Sequence, residues 1–152
     1  SAYNLRNNFN DESLIIFLFV IIICISTDMG GYIFGKFFGG LKLTKISPNK
    51  TYSGVFGGYF LSIIITTFFC FYYPILPYET INEFGIYTIL IIVSISTISQ
   101  IGDIFVSYFK RLSKIKNTGN LIPGHGGILD RIDGMIFAFP FSYLIFTFEI
   151  VK

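Results

Sequence analysis

Three groups of residues in this sequence are of a type and spacing to do chemistry. The first is Asp28, a carboxylate at the end of an apolar run with no basic residue beside it. An unpaired carboxylate in hydrocarbon is costly, so Asp28 is expected to face a watery cavity, a cation or a lysine from another segment. The second is a stripe. Ser96, Ser99 or Gln100, Asp103, Ser107, Lys110 or Arg111, and Lys114 follow one another at three- and four-residue steps. On a helix they share one face. A polar face that starts in an apolar segment and ends in a basic cluster suits a phosphorylated ligand; a basic helix end alone would read as an anchor on the lipid surface, and Asp103 within the apolar segment favours the ligand. The third is the run from Asn120 to Gly134, NLIPGHGGILDRIDG. Gly124, Gly126 and Gly127 allow backbone N–H groups to approach an anion ahead of a helix N-terminus. Asp130 and Asp133, three apart, project from one face of that helix. Carboxylates opposite a basic surface fit Mg²⁺ held between protein and phosphate oxygens. His125 and Arg131 in the same run are candidate phosphate donors, and simple hydrogen bonding in the loop is the other role open to His125.

The elements that must position these groups are membrane helices. Of 152 residues, 53% are hydrophobic and 13% charged, with 19 Phe, 10 Tyr and no Trp. A soluble domain carries about 25% charged residues. This balance excludes a disordered chain, a secreted disulfide scaffold and a basic nucleic-acid binder, so no nucleic-acid partner is expected. Apolar runs cover Ser13 to Ser26, with helix continuing to Phe38, then Val55 to Leu76, Phe84 to Ile101 and Met135 to Val151. Roughly 20 residues cross a bilayer core. Asp103 to Ile115 continues the third helix, with a bend expected at Gly102. The prediction is an all-α, polytopic membrane bundle of four to five helices, one domain over 1–152, with a polar cavity open to the cytosol.

Charge distribution sets an orientation. Segments 35–54 and 102–134 hold nine of the eleven basic residues, whereas the loop between the second and third runs holds Glu79 and Glu83 and no base. The positive-inside rule puts both basic segments in the cytosol. The first ten residues do not read as a signal peptide. Cys24 and Cys70 lie in apolar runs without metal-ligand spacing and are expected simply to pack. Gly31, Gly35 and Gly39 recur every four residues, a spacing that lets membrane helices approach closely. That stripe seeks a partner surface, and a homodimer is one way to supply it.

Taken together, Ser107, Lys110, Arg111, Lys116, Gly119, the run Ile122 to Gly127, and Asp130, Arg131 and Asp133 closely resemble the signature of the phosphatidate cytidylyltransferase (CDP-diacylglycerol synthase) family. A second block agrees: Asp28, Gly31, Tyr32 and Gly35, then Ser47, Pro48, Lys50, Thr51 and Gly54, together with Gln100 and Asp103. The resemblance covers nearly the whole chain and corresponds to the C-terminal half of a typical member. Asn117 stands where an Asp usually follows the Lys, and Ser53 where a Glu usually precedes the Gly.

The resemblance implies Mg²⁺-dependent transfer of CMP from CTP to phosphatidic acid in a bacterial inner membrane, with a potassium ion beside the magnesium. It implies Asp103 and Asp130 as metal ligands with Asp133 supporting. Lys110, Arg111 and Lys116 would hold phosphates, assisted by Ser107, His125, Arg131 and the amides of 124–127. Lys50 would come in from the other basic loop, and Asp28 would complete the cavity. Competing readings are a polyprenol or phytol kinase or archaeal-type synthase of the same superfamily, a small ion-coupled transporter, and a non-catalytic relative. The unbroken run from Pro123 to Asp133 favours the bacterial-type cytidylyltransferase. A transporter would often show inverted repeats, and none is found in the sequence.

Overall fold

The computed structural model describes residues 11–44, 50–72, 81–113 and 129–147. These form four helices: α1 (Asp11–Phe38), α2 (Tyr52–Tyr72), α3 (Ile81–Leu112) and α4 (Leu129–Thr147). Isoleucine and phenylalanine, poor helix formers in water, dominate α1. In hydrocarbon the choice is forced, because every backbone N–H and C=O must be satisfied within the segment. Leu14–Phe38, Tyr52–Tyr72 and Gly85–Leu112 are long and apolar enough to cross a membrane, and Ile132–Thr147 is a shorter apolar helix. The all-α membrane bundle expected from the sequence is the architecture found.

The exposed and buried surfaces are distributed as a bilayer requires. Large side chains such as Phe56, Phe60, Phe68 and Phe71 face outward, whereas Thr27, Ser62, Thr66, Ser96 and Ser99 are buried. The apolar core is small: Phe19, Val20, Ile23 and Cys24 of α1 lie with Ile91, Ile92 and Ile95 of α3 and Ala138 and Ile145 of α4. Cys24 and Cys70 are buried free thiols, in keeping with a packing role. α1 touches each of the other three helices.

α1 and α2 meet backbone to backbone. The inner face of α2 consists of Gly54, Gly57, Gly58, Ser62, Thr66 and Cys70. A Cβ on Gly30 would lie 2.9 Å from the Gly58 Cα and closer still to the Gly57 carbonyl; one on Gly54 would lie 2.7 Å from the Gly31 carbonyl. The Gly31/Gly35 stripe therefore has its partner within the chain, on α2, so it gives no reason to invoke a second copy. Gly39 departs from the expected pattern. With φ +57° it ends α1, its N–H returning 3.1 Å to the Gly35 carbonyl, which is the left-handed helix stop that glycine favours.

Every helix starts before its apolar run. α2 starts three residues before Val55, and α4 starts at Leu129 rather than Met135. In α4 the first turn carries acids, which the positive end of the helix dipole favours and which an apolar count passes over. α3 runs unbroken through Gly102, where the Phe137 ring of α4 packs at 2.8 Å from the position a Cβ would take. There the missing side chain makes room for a neighbour. Pro140 lies inside α4.

The α1–α2 contact gives a direct test. Gly30→Ala places a methyl against backbone that has no side chain to move, and is expected to destabilise by about 2 kcal/mol or more. Gly31→Ala, whose Cβ would sit 3.7 Å from the Gly54 carbonyl, is expected to be tolerated. Thermal unfolding of the two variants in detergent checks the difference.

Candidate functional site

The described ends of the connection between α1 and α2 are tied to each other. Leu43 N–H donates to the Lys50 carbonyl at 2.8 Å and Tyr52 N–H to the Leu41 carbonyl at 3.1 Å, around an antiparallel bridge between Lys42 and Thr51. Thr51 then caps α2: its hydroxyl accepts from the Gly54 N–H at 3.1 Å, satisfying one of the helix's orphan donors. Ser53, where a glutamate was expected from the family pattern, shares a hydrogen bond with Thr51 at 3.0 Å and donates to the Gly39 carbonyl. These contacts fix the backbone of Lys50.

From that anchor, the Lys50 ammonium reaches across to α3 and lies 3.1 Å from Asp103 Oδ2. Both side chains are partly buried, at 29% and 22% exposure. They line a cavity of about 220 Å³ whose other polar walls come from Thr27, Asp28 and Tyr32 of α1, Thr51, and Gln100 of α3. Gly31, Gly54 and Val55 complete it. The cavity exists because glycines let α1 and α2 close on one side while α3 supplies the acid on the other.

A polar network braces the α3 wall. Thr27 Oγ1 and Ser96 Oγ lie 2.8 Å apart in the buried α1–α3 seam, and Gln100 Nε2 donates to Ser96 at 3.5 Å. Tyr59 and Thr97 make the matching α2–α3 contact at 3.0 Å. On the far side of α3, Gly134 of α4 comes so close that its Cβ would lie 2.5 Å from Ser99 Oγ and 2.9 Å from Asp103 Oδ1. The residue before it, Asp133, is 4% exposed and ion-paired with Lys110 of α3.

The structure thus brings together Asp28, Lys50 and Asp103 around one cavity, and sets the Lys110–Asp133 pair behind it. Lys110, expected to hold phosphate, has its ammonium on Asp133. Ser107 and Arg111 lie on α3 outside the cavity lining, with Arg111 exposed. Asp130 and Arg131 fall in the first turn of α4, and their side chains lie outside the described residues, as do Lys116, Gly124, His125, Gly126 and Gly127 altogether. Among the described residues no group of three acidic, histidine or cysteine side chains converges on one point. Thr27 escaped the set of candidate residues chosen from the sequence. Its signal was faint: a small hydroxyl next to Asp28, which reads equally as a helix residue bonding its own backbone. It does that as well, donating to the Ile23 carbonyl at 2.7 Å.

Known proteins resemble this sequence along most of its length. The model of the Cytidylyltransferase family matches residues 2–148. Phosphatidate cytidylyltransferase of Bacillus subtilis is 38% identical over 140 residues, 91% of this chain and 49% of that protein. The protein of the same name from Rickettsia bellii is 41% identical over 133 residues, 84% of this chain and 57% of the relative. That of Haemophilus influenzae is 40% identical over 139 residues, 89% and 47% respectively. The chain spans about half the length of these curated relatives. With nearly every residue inside the family match, and with membrane helices gathering Asp28, Lys50 and Asp103, this chain belongs to the cytidylyltransferase family.

Proposed function

We propose that the chain is the membrane-embedded catalytic part of a phosphatidate cytidylyltransferase. It would transfer CMP from CTP to phosphatidic acid, giving CDP-diacylglycerol and pyrophosphate in phospholipid synthesis. The observation that carries this reading is the Lys50–Asp103 pair in a cavity shared with Asp28. A cation and two carboxylates gathered between apolar helices are retained where a charged substrate must be handled at a lipid surface.

In the reaction, a phosphate oxygen of phosphatidic acid attacks the α-phosphorus of CTP, and the bond from that phosphorus to the bridging oxygen breaks, releasing pyrophosphate. Two anions must approach in line, so positioning and charge neutralisation carry the rate. Lys50 supplies one mobile ammonium from a fixed backbone. Arg111 and Lys116 supply further cations, with Lys110 held in place by Asp133. Ser107, His125, Arg131 and the amides of 124–127 offer hydrogen bonds to phosphate oxygens.

The donor set fits magnesium. Besides the Lys50 ammonium, which would have to give up Asp103, the polar groups lining the cavity are carboxylates, hydroxyls and an amide, oxygen donors of the kind Mg²⁺ takes, and Mg²⁺ is commonly held by one or two carboxylates together with substrate phosphates. Asp103 and Asp130 would hold it, with Asp133 supporting and K⁺ as a neighbour. The ion when bound would neutralise phosphate charge. Both basic segments would face the cytosol, in the plasma membrane of a bacterium.

Incorporation of radiolabelled CTP into lipid by the purified protein with phosphatidic acid tests the proposal. Magnesium-dependent label in the lipid phase is expected, and its absence from folded protein would overturn the reading. Asp130→Asn is expected to reduce turnover at least 100-fold while leaving a folded, inserted protein; turnover at the unsubstituted level would remove the metal assignment. Lys50→Met is expected to lower turnover about tenfold or more, with Lys50→Arg retaining an intermediate rate in the same assay.

A further inference from the structure

Lys36 belongs to none of the groups discussed so far, yet it is exposed one turn along α1 from the cavity lining. Its ammonium lies 5.6 Å from the centroid of the Tyr32 ring, within the range of a cation–π contact, and Tyr32 is itself part of the cavity wall. Asp28 is eight residues back along α1, about 12 Å at the helical rise, so α1 carries an acid in the cavity lining and a cation beyond it. Around Lys36 the surface is apolar and open. Phe37, Phe38 and Leu41 are 83%, 73% and 80% exposed. From residue 29 to residue 72 the sequence has four lysines and no acid, so this stretch of the chain carries a net positive charge.

Among the described residues, Asp28, Lys50 and Asp103 line the cavity itself. Exposed aromatics beside lysines at the end of a membrane helix are suited to the level of lipid headgroups. A ligand matching both features has an anionic headgroup and acyl chains that lie against Phe37 and Phe38.

We propose that Lys36, braced on Tyr32, is the lateral docking point for the phosphomonoester headgroup of the lipid substrate, holding it beside the cavity before it passes in. The inference rests on the proposed function for its substrate, and it adds a positioning residue and a direction of approach. A phosphomonoester carries up to two negative charges and a phosphodiester headgroup one, so Lys36 favours the former.

Binding of fluorescent phosphatidic acid and of fluorescent phosphatidylglycerol to the detergent-solubilised protein, without CTP, provides the test. Lys36→Met is expected to weaken phosphatidic acid binding about fivefold and phosphatidylglycerol binding by less than twofold, with Lys36→Arg restoring the first. In turnover the Michaelis constant for phosphatidic acid should rise by a similar factor and that for CTP stay level. Equal weakening of both lipids would make Lys36 a general anchor to anionic surfaces and overturn the proposal, as would unchanged binding of both. Failure of the unsubstituted protein to turn over would count against the proposed function, whereas the binding arms would still decide the role of Lys36.

Discussion

The contact between the backbones of α1 and α2 is the constraint on which the rest depends. Gly30 lies against the backbone of Gly57 and Gly58, Gly54 against that of Gly31, and the Phe34 ring of α1 seats on Gly57, so the two helices lie closer than larger residues at these positions would permit. That closeness brings the described ends of the connection together, where backbone hydrogen bonds join Leu43 to Lys50 and Tyr52 to Leu41, and from there Lys50 reaches across the bundle to Asp103. Separating α1 from α2 by the width of a methyl group would also move Thr51 away from Gly35, where its hydroxyl now sits 3.0 Å from the place of a Cβ. The site is thus built first from absences of side chains and only then from charges.

The charges follow a second rule. Of the acids whose surroundings are described on α3 and α4, Asp103 meets Lys50 and Asp133 meets Lys110. Each pair joins different elements, and breaking a buried pair by removing one partner is far more costly than the pair's net contribution to stability. The more buried pair, Lys110–Asp133, holds α4 on α3. The more open one faces the cavity. Two ion pairs of different burial thus lie within two turns of α3.

Much of this was legible in the sequence. The apolar runs revealed the helices because lipid leaves the backbone no alternative, and the spacing of Ser96, Gln100 and Asp103 placed them on one face, as the structure has them. Asp28 and Lys50, distant in sequence, were joined only by family resemblance. Nothing in local spacing says that a turn will carry Lys50 to Asp103, since that depends on the α1–α2 approach. The same limit explains Lys110. A lysine at the end of a polar stripe reads as a ligand cation, and its pairing with Asp133 is a tertiary fact. Gly39 shows the converse error, where a regular spacing hid a helix stop.

The inner face of α2, made of Gly54, Gly57, Gly58, Ser62, Thr66 and Cys70, has a thermal consequence. Within a bilayer, helix association draws on dispersion and polar contacts rather than on release of water. Water-driven cohesion fades on cooling, and a joint between backbones that already lies in hydrocarbon draws little on it, so the α1–α2 contact has less to lose on cooling than a water-exposed apolar seam of a soluble protein.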